Sequence, residues 1–395
     1  LGPSRQNGGR QLQNKANINS GRTELIVMKS ILVCATALSV VVFVSPAFAG
    51  TLAADGLLEM RELNLIVLGN MSAGADVEGK TFVGGNLTNA NTYGSGRPGQ
   101  SPLTSTAPTL TVVGNVTGTA NINSGISPGG ATIGGNLAGM NLNASNATVL
   151  VGGSIGSTNG GNGATIKVGG TIGTARVTGT LVEQKLGSNF TNPLVSTLNS
   201  EEKTLVTDLK ALSTALENLP STGSYDVSNP NSATFTSADP HKLGYSVIDI
   251  TAAQYEKAAG FVYNISIPTI INVNCGTVTT CGNMITDSGN SNGPTSVDND
   301  IIWNFEDAAK ITFKDNVDGS VLAPYANVIT NNNIEGTLAA MGLTQGGELH
   351  QFAFKSPLTN AIGAPTPEPA TWAMMLTGFG FAGAALRRRR VAVAA

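Results

Sequence analysis

"IGGNLAGMNLNASNATVLVGGSIGSTNGGNGATIKVGGTI", Ile133–Ile172, carries one phrase three times. A β-branched residue is followed by two glycines, a small polar residue and a second apolar residue. It reads IGGNL at Ile133, VGGSI at Val151 and VGGTI at Val168. Upstream it returns as VLGNM at Val67, VGGNL at Val83 and VGNV at Val113. The last three steps are 20, 18 and 17 residues; the earlier ones are 16 and 30, the longer step holding the insertion YGSGRPGQSPLTSTAP. A period near 18 made of short apolar runs and glycines marks stacked coils. Alternate Val, Ile and Leu point inward and stack on the coil below. Paired glycines supply turns and close backbone approach. Asn or Ser after them suits a turn and can stack into an amide ladder. The predicted fold is mainly β, a β-solenoid of the parallel β-helix kind, in preference to a Gly-rich sandwich.

Composition agrees. Charged residues are 12% and hydrophobic ones 41%, which argues against disorder. Aromatics are 5%, which suits thin layers of small and β-branched side chains. The formal charge of −3 hides an acidic body: residues 50–386 hold 13 basic and 24 acidic side chains, a net −11. Nucleic acid is therefore not an expected partner, since that needs a basic surface.

The repeat fades near Leu181. In the segment Ser196–Pro220, Leu198, Leu205, Leu209, Leu212, Leu216 and Leu219 recur at helical spacing. The spacing predicts a long helix packed alongside the solenoid, capped at Asn199 and Glu202 and stopped by Pro220. Its polar face would carry Lys203, Asp208, Lys210 and Glu217. Downstream, YSVIDI reads as a strand, TAAQYEKAAG as a short helix and FVYNISIPTIINVNC as one long strand region.

Both ends read as addresses. Residues 1–27 are polar and begin with Leu1, and are taken as a mis-assigned upstream extension. Residues 28–49 form a signal peptide: Lys29, an apolar run from Ile31 to Val44, and a small-x-small site at Ala47 and Ala49. Export makes a local disulfide between Cys275 and Cys281 the expected state of that pair. Residues 50–358 form the solenoid domain, 359–366 a linker and 367–395 a tail. The tail has Pro367, Glu368 and Pro369, then an apolar run from Trp372 to Leu386, then Arg387, Arg388, Arg389 and Arg390. Fifteen helical residues reach about 22 Å, short of the ~30 Å hydrocarbon core. The arginines can snorkel and hold the C-terminus on the cytoplasmic side. A plain tail anchor is the alternative.

NLIVLGNMSAGADVEGKTFVGGNLTN, NDIIWNFEDAAKI, GSVLAPYANVI, IEGTLAA and GGELHQFAF, in this order, resemble the choice-of-anchor A family across roughly Asn64–Pro357. The resemblance implies a bacterial surface or secreted domain with an adhesive or matrix role and no catalytic activity. The tail resembles the PEP-CTERM sorting signal of Gram-negative bacteria. That likeness implies Sec export, transient anchoring in the inner membrane and processing by exosortase. The expected destination is the cell surface or extracellular matrix, with exopolysaccharide as the expected partner.

Candidates for chemistry are few. Asp298 and Asp300 form a DxD pair, with Glu306 and Asp307 close by; acidic clusters of this kind serve β-helix polysaccharide lyases and hydrolases. A solvated loop is the commoner meaning. Glu348 and His350 share a strand face and could act as an acid/base pair. No nucleophile or metal cluster accompanies them, so no enzyme and no cofactor is expected. One further reading is ice binding, whose plan is a flat solenoid with threonine arrays and a long helix alongside. The pairs Thr109/Thr111 and Thr178/Thr180 fall out of step with the repeat.

Overall fold

The valine of the repeated phrase is the last inward residue of its strand, and the glycines after it turn the chain onto a new side. In the computed structural model, Val67, Val83, Val112, Ile133, Val151 and Val168 stand opposite one another in successive parallel pairs. The third copy is therefore one residue out of the sequence reading. Val112 is the stacked residue, and Val113 takes the place of a first glycine. A second side carries the column Ile311, Val328, Leu343, Met71, Leu87, Val116, Leu137, Ile155 and Ile172. The third side is made of short pieces such as Val317–Asp318, Ile334–Glu335 and Leu349–His350. The apolar members of these columns fill the interior and are closed to water except at the outermost Ile172, which is half-buried. The fold is the expected β-solenoid. The structure describes residues 46–96, 105–123, 129–274, 285–287 and 296–363. All of them belong to one unit, Val44–Ala395. Cys275, Cys281, Pro367, Glu368, Pro369, Trp372 and Arg387 to Arg390 lie outside the described residues.

Coil order in space is not chain order. Leu65–Val67 pairs with Thr81–Val83 on one edge and with Leu338–Gln345 on the other. From that middle position the N-terminal coils stack outward to Leu181–Glu183. A long helix from Ser188 to Glu217 returns along the stack. The C-terminal coils then climb back through Ser246–Thr251, Thr269–Asn274, Ile301–Asn304 and Ser320–Thr330, and Leu338–Gln345 closes on the first coil. Asn64 fastens this joint. Its side chain is buried, accepts from Gly79 N–H at 2.8 Å and donates to the carbonyls of Gly336 at 2.9 Å and His350 at 3.0 Å.

Helix α1, Pro46–Glu62, and helix α2, Ser188–Glu217, cover the outer surface of the first side. Ala47 and Ala49 stand in the first turn of α1. Leu205, Leu209, Leu212 and Leu216 of α2 join Ile66, Phe82, Ile270 and Ile302 in an outer apolar layer. α2 starts eight residues before the sequence expectation, and Asn199 and Glu202 lie inside it rather than at a cap. Its first turns dock near the glycines through Thr191 and continue the apolar period upstream of Leu198 with half-buried Phe190 and Leu194. Pro193 forfeits one helical hydrogen bond there. Asp208, expected on the polar face, is buried. Two short helices follow: α3, Ala252–Lys257, capped reciprocally by Thr251 and Gln254, and α4, Thr359–Ile362. α4 opens the segment expected as a linker, and its Ile362 is buried. The expected long strand after Phe261 is two strands, Phe261–Asn264 and Thr269–Asn274; Pro268, which has no N–H to give a ladder, lies between them. No helix of the described residues is long and apolar enough to cross a membrane.

Candidate functional site

The two glycines of the phrase do different work. A Cβ on the first, at Gly84, Gly134, Gly152 or Gly169, would lie 2.1–2.4 Å from a carbonyl oxygen of the preceding coil. The same positions seat α2: an added Cβ would lie 3.3 Å from Leu198 at Gly134 and 3.3 Å from Thr191 at Gly152. A Cβ on the second, at Gly85, Gly114, Gly135 or Gly153, would lie 2.4–2.6 Å from the side-chain oxygen of an asparagine one coil back. That oxygen needs the space because it accepts a backbone N–H from the next rung. Asn70 Oδ1 accepts from Asn86 at 2.8 Å, Asn86 from Asn115 at 2.8 Å, Asn115 from Asn136 at 2.9 Å and Asn136 from Ser154 at 2.8 Å. Ser154 Oγ accepts from Thr171 at 3.1 Å. The result is an exposed polar spine along one corner. Asn115→Ala leaves the Asn136 N–H to water alone and is expected to cost about 1 kcal/mol, read as a lower denaturation midpoint with an unchanged slope.

A second polar row follows on the adjoining side. Thr312, Ile329, Thr344, Ser72 and Thr88 face one another in register, and Thr117 comes next to Asn89. The row then loses its hydroxyls at Ala138, Gly156 and Gly173, which follow the inward residues Leu137, Ile155 and Ile172. A further row joins Asn141 to Asn121 at 2.8 Å and Asn143 to Asn123 at 2.9 Å. Between the corner spine and the threonine row runs a groove of about 530 Å³. It is lined by Asn70, Asn86, Asn327, Ser72, Thr88 and Lys310 among others. These rows come from residues a coil apart, which no local motif connects. The asparagines of the phrase were the signal in sequence; Asn327 and Lys310 had none.

The other candidates take structural places. Asp298 is buried, and Asp300 pairs with Lys355 at 2.7 Å while Asn299 donates to Ala353 O at 2.9 Å. This turn pins the chain at 353–355. Glu306 is half-buried and Asp307 exposed. Glu348 and His350 do meet, at 3.2 Å, but the stronger partner is Glu335, whose Oε2 is 2.6 Å from His350 Nδ1. Glu335 sits one coil before His350 in register, the spacing that would have revealed it. The Glu335 hydrogen bond, against the pull of burial, raises the His350 imidazole to about 9. It is thus a cation near neutral pH and unsuited to a general base there. Thr109 and Thr111 are buried on the helix-covered side and so cannot face a lattice, while Thr178 is exposed and Thr180 half-buried on a distant coil. Among the described residues no group of three His, Cys, Asp or Glu is placed to hold a metal.

An acidic cavity of about 640 Å³ lies beside α1 and α2, lined by Glu59, Glu62 and Glu201 with Ser105, Thr106 and Thr204. Burial first, then the neighbouring carboxylate Asp208, pushes Glu59 well above the usual range. Burial and Asp55 raise Asp208 to about 6. A raised carboxyl contributes stability that is fully present below its ordinary pKa near 4 and is lost as pH rises through about 6. His350 contributes stability below pH 6.5 that is lost through about 9. Melting temperature is therefore expected to fall in two windows as pH rises. Asp208→Asn should flatten the lower window and His350→Gln the upper one; a profile unchanged by either variant contradicts the assignment.

A parallel solenoid with polar rows on its open sides and a helix pair covering the first side defines a class, the repeat-built β-solenoids. The chain belongs to the family described as "Putative Ice-binding-like adhesive domain", whose model matches residues 57–148 and 126–351. Residues 365–390 match the PEP-CTERM protein-sorting motif, which marks the chain for exosortase and the cell surface. No curated protein and no solved structure matches the chain.

Proposed function

We propose that the chain is a non-enzymatic matrix adhesin of the choice-of-anchor A kind, exported, held briefly in the inner membrane, processed by exosortase, and bound to exopolysaccharide at the cell surface. The observation that carries this reading is the asparagine spine beside the threonine row. Both present amides and hydroxyls at the strand spacing of about 4.8 Å, so one extended polymer can meet many equivalent weak contacts. The test is affinity electrophoresis of the mature protein through gels containing the polysaccharide of the cells that make it. Retention is expected; free migration at every salt and divalent-ion concentration counts against adhesion to that polymer. Ice binding is the second reading, favoured by the in-register hydroxyls and the family description. The bare stretch at Ala138, Gly156 and Gly173 weighs against a full-length ice face. Inhibition of ice recrystallisation at micromolar protein would make it the leading one. The third reading, a lyase or hydrolase at Asp298 and Asp300, requires activity on a glycan panel that is lost when both become asparagine.

A further inference from the structure

The corner spine has a missing rung. In register, its positions run Lys310, Asn327, Gly342, Asn70, Asn86, Asn115, Asn136, Ser154 and Thr171. All but one carry a polar side chain. Gly342 is the exception, and it falls where the last coil of the chain closes on the first. Without a side chain there, the spine opens into the groove described above.

The chemistry of that groove is unlike the rest of the surface. One wall is the spine: Lys310, Asn327, Asn70 and Asn86. The other is the threonine row: Ile329, Thr344, Ser72 and Thr88. The floor is strand backbone at Val328, Leu343 and Met71. No Asp or Glu lines it, although the body of the chain carries a net −11. Lys310 is exposed and takes part in none of the ion pairs of the described residues. Asn70 and Asn86 use their oxygens to hold the next rung. Their Nδ2 groups donate to no protein acceptor among the described residues, so the amides can donate outward. The one apolar wall residue, Ile329, is half-buried and offers a surface to a C–H face.

We propose that this groove is a subsite for an acidic sugar residue, a uronate of a polysaccharide chain. The carboxylate sits on Lys310 and the ring hydroxyls meet the amides of Asn70, Asn86 and Asn327 and the hydroxyls of Ser72, Thr88 and Thr344. The proposal rests on the adhesive reading above and adds to it a place and a ligand class. A neutral sugar would leave Lys310 without a partner, and an acid-free groove on an acidic surface is where an anionic polymer is repelled least. The absence of an aromatic platform makes the single subsite weak, so binding is read with polymers rather than with monosaccharides.

Gly342 supplies the test. A Cβ there would come 2.4 Å from Asn327 Oδ1, the mobile end of a side chain, and 3.6 Å from the nearest backbone oxygen, Asn70 O. Gly342→Asn can therefore complete the spine and close the groove without breaking a coil. The mature protein, Gly342→Asn, Lys310→Gln and Asn159→Ala, an exposed asparagine that does not line the groove, would be titrated with alginate and with dextran in EDTA. Alginate binding by the parent protein is expected, with dextran binding much weaker. Gly342→Asn should lower alginate affinity about tenfold without lowering the melting temperature. Lys310→Gln, a surface change that leaves the fold alone, should lower it and reduce its salt dependence. Asn159→Ala should bind as the parent does. If the parent binds alginate and both groove variants bind it equally well, the subsite is wrong and the adhesive reading stands on another surface. Equal binding of dextran and alginate also overturns the acidic-sugar assignment. If the parent binds neither these polymers nor the host polysaccharide, the adhesive reading fails with it.

Discussion

Asn64→Ala is expected to cost about 3–5 kcal/mol, because two buried hydrogen bonds and one part-buried one are lost together and two backbone partners are left without water. The partners belong to three segments far apart in sequence: Gly79 N–H, Gly336 O and His350 O. Together they join the first coil to the last. Urea denaturation of the variant against the parent measures the cost. A loss below about 1 kcal/mol would mean that the joint is held elsewhere. Native-state hydrogen exchange adds a sharper reading: amides of Leu65–Val67 and Leu338–Gln345 should open before those of Thr148–Val151, which lie away from the joint.

The second large effect is expected from Gly152→Val. Its Cβ would fall 2.2 Å from Gly134 O and 3.3 Å from Thr191 Cγ2, so the new side chain strikes a neighbouring coil and the start of α2 at once. The carbonyl is fixed in the sheet and the helix is the part that can leave. A cost of about 3 kcal/mol or more is expected, with early loss of protection in the first turns of α2. Gly187→Ala is the contrast. That position has open space around it and a φ of +67°, so only backbone strain of roughly 1 kcal/mol applies. If the two variants cost the same, the glycine seats do not hold the helix.

The solenoid was legible because its cause is local. A valine, two glycines and an asparagine state in four letters where a strand ends, where the chain turns and what stacks outside. Even the one-residue slip at Val113 has a physical origin, since a single glycine there leaves two valines competing for the inward place. What was not legible depends on distance. Nothing near Leu65 announces that its second neighbour is Leu338, because parallel pairing within an apolar column is nearly indifferent to which coil supplies the next layer. The start of α2 was missed because Pro193 interrupts it, although Phe190 and Leu194 already stand at helical spacing from Leu198. The candidate site split in the same way. The asparagines of the phrase are marked in the sequence by their place after the glycines. Lys310, Asn327 and Gly342 matter only through register, and Glu335 became visible as the partner of His350 only when one coil was laid on the next.

The middle position of the first and last coils bears on how the molecule would carry a load. In a solenoid threaded from end to end, a tether at the terminus pulls on an outermost coil and can peel the stack one layer at a time. Here the described chain ends beside α4, which packs against α1, and the coil that feeds α4 lies between neighbours on both edges. Tension on a C-terminal attachment would enter at the waist of the stack and must shear two strand ladders together. A surface protein joined to its cell in this way is expected to yield late and all at once, whichever end of the solenoid its partner holds.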